Sequence, residues 1–188
     1  MVRYLRDIHV IEEITANIST SFPERFKQSF NMERRRAIDR VAQLFTRAGV
    51  PCRISDNIDG DLWVKLVWNC AGNAVSALGR ATYGLMGSLE PVRQAMAAAA
   101  MEVSAVARAS GVRMPDTDLV AMAYKLASAL GPATSSTAQD IERGRPTEID
   151  SLNGFVARRG AELGVPTPVN HTLWALVKLR EAAGREAS

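Results

Sequence analysis

Apolar residues recur every three or four positions over long stretches of this chain, the spacing that gathers them on one face of a helix. In NMERRRAIDRVAQLFTRAG, the residues Ile38, Val41, Ala42, Leu44 and Phe45 share such a side. Asn31 is placed to cap this helix and Gly49 to stop it. A second helix is predicted over 61–79. Gly79, Gly84 and Gly87 then predict a loop. A long helix follows in SLEPVRQAMAAAAMEVSAVARASG, with Ser88 as cap and Glu90 and Pro91 in its first turn. Its Ala97, Ala98, Ala100 and Ala105 invite close packing by another helix. DTDLVAMAYKLASALG predicts one more helix. The polar stretch 135–154 begins as a loop and becomes helical, running on to Gly164, and a last helix starts after two prolines. The tail from Arg185 is expected to fray.

Two segments break the pattern. IHVIEEITANIS, within 1–30, fits a strand or an amphipathic helix equally well. VPCRIS reads as a short strand near 51–55, orphaned in a chain that is otherwise helical. The expected fold class is mainly all-α, with a division near residue 56 between an N-terminal extension and a helical domain over 57–188.

The helix over 61–79 carries a pattern inside the pattern. LWVKLVWNCAGNAVSAL is apolar on most sides, yet Lys65, Asn69 and Asn73 recur at intervals of four. Four residues advance about 400° around a helix, so these three side chains form one polar stripe. Trp63, Trp68, Leu66, Val67, Cys70 and Val75 occupy the other faces, which is the pattern of a buried helix. The stripe is then either an ordinary exposed face with a snorkelling lysine or one wall of a cleft. In a cleft, a buried lysine with a lowered pKa would act as a general acid, and the amides would hold a carbonyl or hydroxyl.

Composition narrows the function classes. The net charge is +3 and the basic residues are scattered. The densest run, ERRRAIDR, is interrupted by acids and lacks interleaved aromatics, so it reads as a solvated helix face rather than a nucleic-acid footprint. Cys52 and Cys70 make neither a disulfide framework nor a metal site, and His9 and His171 lack ligand spacing. No uncharged apolar run reaches the roughly 20 residues of a membrane helix, and the N-terminus has no signal-peptide core. The expectation is a cytoplasmic protein without metal.

A second polar cluster, SSTAQDIERGRPTEIDSLNG, packs Ser136, Asp140, Thr147, Glu148, Asp150 and Asn153 into twenty residues. Thr147 and Glu148 also suit the start of a helix, so capping alone would account for part of it. LWVKLVWNCAGN, this cluster, and then GVPTPVNHTLWALVK follow one another in an order that resembles the C-terminal domain of the ketopantoate reductase (2-dehydropantoate 2-reductase) family. The resemblance runs from about Ala42 to Lys178.

The resemblance implies a helical bundle like the C-terminal region of 6-phosphogluconate dehydrogenase. It implies reduction of ketopantoate to pantoate with NADPH, on the route to pantothenate and coenzyme A. It casts Lys65 as proton donor to the ketone oxygen, Asn69 and Asn73 as substrate partners, Ser136 as holder of the substrate carboxylate, and Glu148 as a residue near the cofactor. The implied partners are a small 2-oxo acid, a second copy of the chain, and a nucleotide-binding domain, either separate or missing.

Such a domain needs a glycine-rich turn between a strand and a helix. The first glycine here is Gly49, and no G-x-G-x-x-G occurs anywhere in the chain. Residues 31–55 resemble the last helix and strand of that absent domain. Ala74 stands where the family commonly has proline, and Tyr83 where it has a substrate-contacting asparagine. Tyr83 opens the alternative of another 2-oxo acid or a bulkier ketone. A further alternative is a non-enzymatic helical dimerisation module. The chain alone is expected to be inactive.

Overall fold

The computed structural model describes residues 24–52 and 54–186. It divides into two compact units, Met1–Asp56 and Asn57–Ser188. The segment IHVIEEITANIS and His9 lie outside the described residues.

In the first unit, helix α1 spans Glu24–Arg47. It begins earlier than the predicted start, so Asn31 is an interior helical residue and not a cap. Its end matches the sequence reading. Gly49 adopts φ +72°, a left-handed conformation that costs glycine nothing, and the Val50 amide donates back to the Phe45 carbonyl at 2.9 Å. Ile38, Val41, Leu44 and Phe45 do share a side, but all four are exposed. The expected strand near 51–55 is not formed: the described residues of this stretch are irregular. A strand exists only through ladder hydrogen bonds, and no partner edge stands among the described residues to supply them.

The described residues of the second unit form helices joined by loops, with no strand. Helix α2 is Ile58–Gly79, α3 Tyr83–Ser88, α4 Glu90–Ala109 and α5 Leu119–Leu130. Helix α6 is Ser136–Glu142, a 3-10 turn covers Ile149–Ser151, α7 is Asn153–Leu163 and α8 is Pro168–Glu186. The expected glycine loop is in fact a short helix, α3, because the Thr82 side chain caps it by accepting from the Leu85 amide. Ser88 does not cap α4. Its hydroxyl donates to the Leu85 carbonyl, and Leu89 takes the cap position. Asp118 caps α5 through the Ala121 amide. Helix α8 runs through Arg185 to Glu186, and the rest of the tail lies outside the described residues.

Helix α2 packs against α4, α6 and α8. Its Trp63, Leu66, Val67 and Cys70 meet Met96, Ala100, Val103 and Val106 of α4, with Leu152 and Val156 completing the core. Of the alanines expected to pack, only Ala100 is buried, together with Ala99, while Ala97, Ala98 and Ala105 are half-buried. Ala74 is fully buried with Ile149 and Val177 in a second cluster.

A buried amide relay ties four helices together. Asn153 Nδ2 donates to the Cys70 carbonyl at 3.1 Å and to Asn170 Oδ1 at 3.0 Å. Asn170 Nδ2 donates to the Ala99 carbonyl and to Glu102 Oε2. The Glu102 carboxylate also accepts from the backbone amides of Val169 and Asn170, satisfying the first turn of α8. Both asparagines are fully buried.

A second polar knot closes α8 against the segment 147–150. Lys178 Nζ reaches Asp150 at 2.8 Å and Glu181 at 3.1 Å. Glu181 also accepts from the Thr147 hydroxyl and amide. Burial pushes the Glu181 carboxyl up, but the Thr147 and Lys178 donors outweigh it and hold the group below its ordinary value. The Lys178 hydrogen bond holds Asp150 low in the same sense. A carboxyl depressed in the folded state stabilises above its unfolded pKa, about 4, and loses that contribution as pH falls through the folded value. The urea midpoint is therefore expected to fall between pH 6 and pH 3, less steeply in Glu181→Gln. An identical pH slope in that variant would refute the assignment.

Candidate functional site

The stripe on α2 descends from solvent into the protein. Lys65 is exposed, Asn69 half-buried and Asn73 only 5% exposed. The eight steps from Lys65 to Asn73 correspond to about 12 Å of helix axis. Of the two readings of the lysine, the described residues show the exposed one. Lys65 lies on the exposed side of α2, at a level where Trp63 and Leu66 on its other sides are buried. Trp63 is a core residue at 5.8 Å from the Phe155 ring, and Trp68 is half-buried.

Asn73 is held at two points. Its backbone carbonyl accepts from Ser135 Oγ at 3.0 Å, and its side-chain Oδ1 accepts from the Tyr83 hydroxyl at 3.1 Å. Ser135 is itself a hub. It is buried, caps α6 through the Ala138 amide, and its own amide donates to Ser76 Oγ at 3.1 Å. Ser76 in turn donates to the Ala81 carbonyl. The two polar segments read from the sequence thus meet, with the start of α6 fastened beside Asn73. Ser136, the first residue of α6, is exposed next to this junction.

Glu148 is brought less close. It precedes the 3-10 turn and is exposed, while its neighbour Ile149 packs on Ala74. The Thr147 hydroxyl accepts from the Ile149 amide at 3.3 Å, but Glu148 holds the cap position of the 3-10 turn and makes no side-chain capping bond.

Sequence reasoning missed Ser135 and Ser76, and it treated Tyr83 only as a departure. One signal was available. Gly72 interrupts an otherwise strong helix, and a Cβ there would meet the Tyr83 ring at 3.0 Å. Tyr83 is fixed from behind as well: its amide donates to the Ala133 carbonyl, and that of Gly84 to Gly131. Burial pushes its phenol up, which keeps the hydroxyl a donor. Cys70 is buried and burial pushes its thiol up, the signature of a structural cysteine. Among the described residues no cluster of His, Cys, Asp and Glu could hold a metal, and no helix is long and apolar enough to cross a membrane.

Residues 57–181 match the family model described as "Ketopantoate reductase PanE/ApbA C terminal". The chain belongs to this family. It is 42% identical over 147 residues to the 2-dehydropantoate 2-reductase of Pyrobaculum aerophilum, covering 78% of this chain and 52% of that protein. It is 33% identical to the Vibrio cholerae enzyme of the same name, covering 79% and 50%. The chain thus spans about half the length of the curated relatives it matches.

Among solved structures, the fold resembles a PanE/ApbA family ketopantoate reductase from Ralstonia eutropha JMP134, with TM-score 0.73 and 46% identity over 78% of this chain and 49% of that one. It also resembles a D-mandelate dehydrogenase solved with NADH and anilino(oxo)acetate, with TM-score 0.75 and 25% identity over 79% and 49%. The helical fold of this family's C-terminal domain is therefore the fold of residues 57–181.

The described residues do not fit a dinucleotide. Gly79 ends α2, and Gly84 and Gly87 lie within α3, with no strand before them among the described residues, so no glycine turn there lets the backbone approach a pyrophosphate.

Proposed function

We propose that this chain is the substrate-binding part of a ketopantoate-reductase-like oxidoreductase acting on a small 2-oxo acid in the cytoplasm. The observation that carries the reading is the junction of α2 and α6, where Ser135 and Asn73 join two segments sixty residues apart at the foot of the polar stripe. In this reading Ser136, exposed beside the junction, would hold the substrate carboxylate, with Asn69 and Asn73 as amide partners. Lys65, further out, is suited to donate to the ketone oxygen and neutralise charge gathering there. Amides and a hydroxyl orient a substrate without adding competing charge. Glu148 belongs to the same reading as a residue near the NADPH, which would bind on a nucleotide-binding domain and not on the described residues.

Tyr83 favours a second reading, in which the substrate is a 2-oxo acid other than ketopantoate. An aromatic ring in place of an asparagine suits a larger or flatter substituent, and one structural relative is a D-mandelate dehydrogenase. A second copy of the chain is the proposed partner, and the exposed Leu176 and Leu179 of α8 support it.

Calorimetric titration of the purified chain tests the function directly. Ketopantoate or anilino(oxo)acetate is expected to bind weakly, and NADPH not at all. Mixing NADPH with ketopantoate is expected to leave the absorbance at 340 nm unchanged. Failure of both oxo acids to bind would sink the reading. Preference for anilino(oxo)acetate would select the second form of it.

A further inference from the structure

Asn73 is nearly buried, and both of its oxygens are occupied. Ser135 Oγ donates to the backbone carbonyl, and the Tyr83 hydroxyl to side-chain Oδ1. Among the described residues no partner meets its Nδ2. Asn73 keeps 5% of its surface exposed, and its Nδ2 is not among the buried atoms left without a partner, so this donor stays open to an acceptor from outside. An asparagine amide can present either end, because its oxygen and nitrogen have the same shape and opposite hydrogen-bonding sense. Here the Tyr83 hydroxyl donates to Oδ1, which leaves Nδ2 as the end open to a ligand.

We propose that Tyr83 is a positioning residue that locks the Asn73 amide with its oxygen inward, so that this site offers a donor and selects ligands that place an oxygen acceptor there. The proposal rests on the 2-oxo-acid reading above and deepens it. A keto or carboxylate oxygen satisfies the donor. A ligand that offers only a donor at the same place does not.

Three further contacts make the lock rigid. The amides of Tyr83 and Gly84 are tied to the carbonyls of Ala133 and Gly131, so the start of α3 and the loop leading to Ser135 form one piece. The ring of Tyr83 rests on Gly72, where any Cβ would meet it at 3.0 Å. One rigid segment thus delivers both groups that hold Asn73, the Tyr83 hydroxyl from one end and Ser135 Oγ from the other.

Tyr83→Phe keeps the ring over Gly72 and removes only the hydroxyl. In 1H–15N spectra of the full chain, the Asn73 side-chain NH2 pair can be assigned by its loss in Asn73→Ala. The pair is expected to move or broaden in Tyr83→Phe as the amide becomes free to turn. Binding of whichever oxo acid the wild-type chain takes is expected to weaken about tenfold, and the ligand-induced shift of the pair to vanish. An Asn73 pair indifferent to Tyr83→Phe overturns the lock. Unchanged affinity in Tyr83→Phe overturns its role in selection. If the wild-type chain binds neither oxo acid, the substrate reading fails, and the amide spectrum still decides the lock.

Discussion

Lys65→Ala is expected to lower kcat/KM for ketone reduction by about 10²- to 10⁴-fold. The measurement requires a fusion that places the nucleotide-binding half of a relative ahead of Asn57. The physical reason is local. A ketone oxygen that gains charge needs a cation within one hydrogen bond, and Lys65 is the only basic residue of α2. Being exposed in the chain by itself, it holds no contact in the core, so its removal leaves the fold intact. The circular dichroism melt of Lys65→Ala should therefore superimpose on that of the parent within about 1 °C. Reduction that survives Lys65→Ala within fivefold would remove the lysine from the chemistry.

Asn170→Ala is expected to act in the opposite way, destabilising the protein by about 3 kcal/mol and lowering the thermal midpoint by about 10 °C. Asn170 is fully buried and links Asn153, Ala99 and Glu102. Its truncation strands one Asn153 N–H, one backbone carbonyl and part of a carboxylate in the core. Each stranded group forfeits a bond it would make with water when unfolded, which is why the loss exceeds that of a surface hydrogen bond. Asn153 Oδ1 already lacks a partner among the described residues, so the relay has no slack to absorb the change. A midpoint shift below about 2 °C would show that the relay is not a unit.

These two residues also mark what could be read beforehand. Lys65 was visible because it recurs with Asn69 and Asn73 at intervals of four on a helix otherwise apolar, and helical periodicity is a property of the chain alone. Asn170 was invisible in that sense. PVNHTLW offers it as an ordinary residue near a helix start, and nothing in the sequence says that Glu102, 68 positions earlier, supplies the carboxylate that satisfies it. The same holds for Ser135, which looks like one more hydroxyl in SSTAQ until its contact with Asn73 shows it to be a fastening point. Tyr83 was legible as a substitution but not as a partner.

Local boundaries divided along similar lines. Gly49 and Gly164 ended their helices where expected, each with a left-handed backbone that glycine adopts without strain. Asn31 and Ser88 did not cap theirs, because a cap requires a side chain aimed at a free amide and residue type alone does not aim it. The strand expected near 51–55 depended on a partner that the described residues do not contain.

The sequence by itself determined the helical class, the polar stripe and the family order of its motifs, since each depends on spacing along one chain. Only the tertiary structure decided that Lys65 stands in solvent while Asn73 is buried, that Ser135 and Tyr83 hold Asn73 from two sides, and that Asn153, Asn170 and Glu102 form one relay. Burial and hydrogen-bond partnership arise between residues far apart in sequence. They are settled by which helices pack together, and periodicity along a single helix carries no record of that.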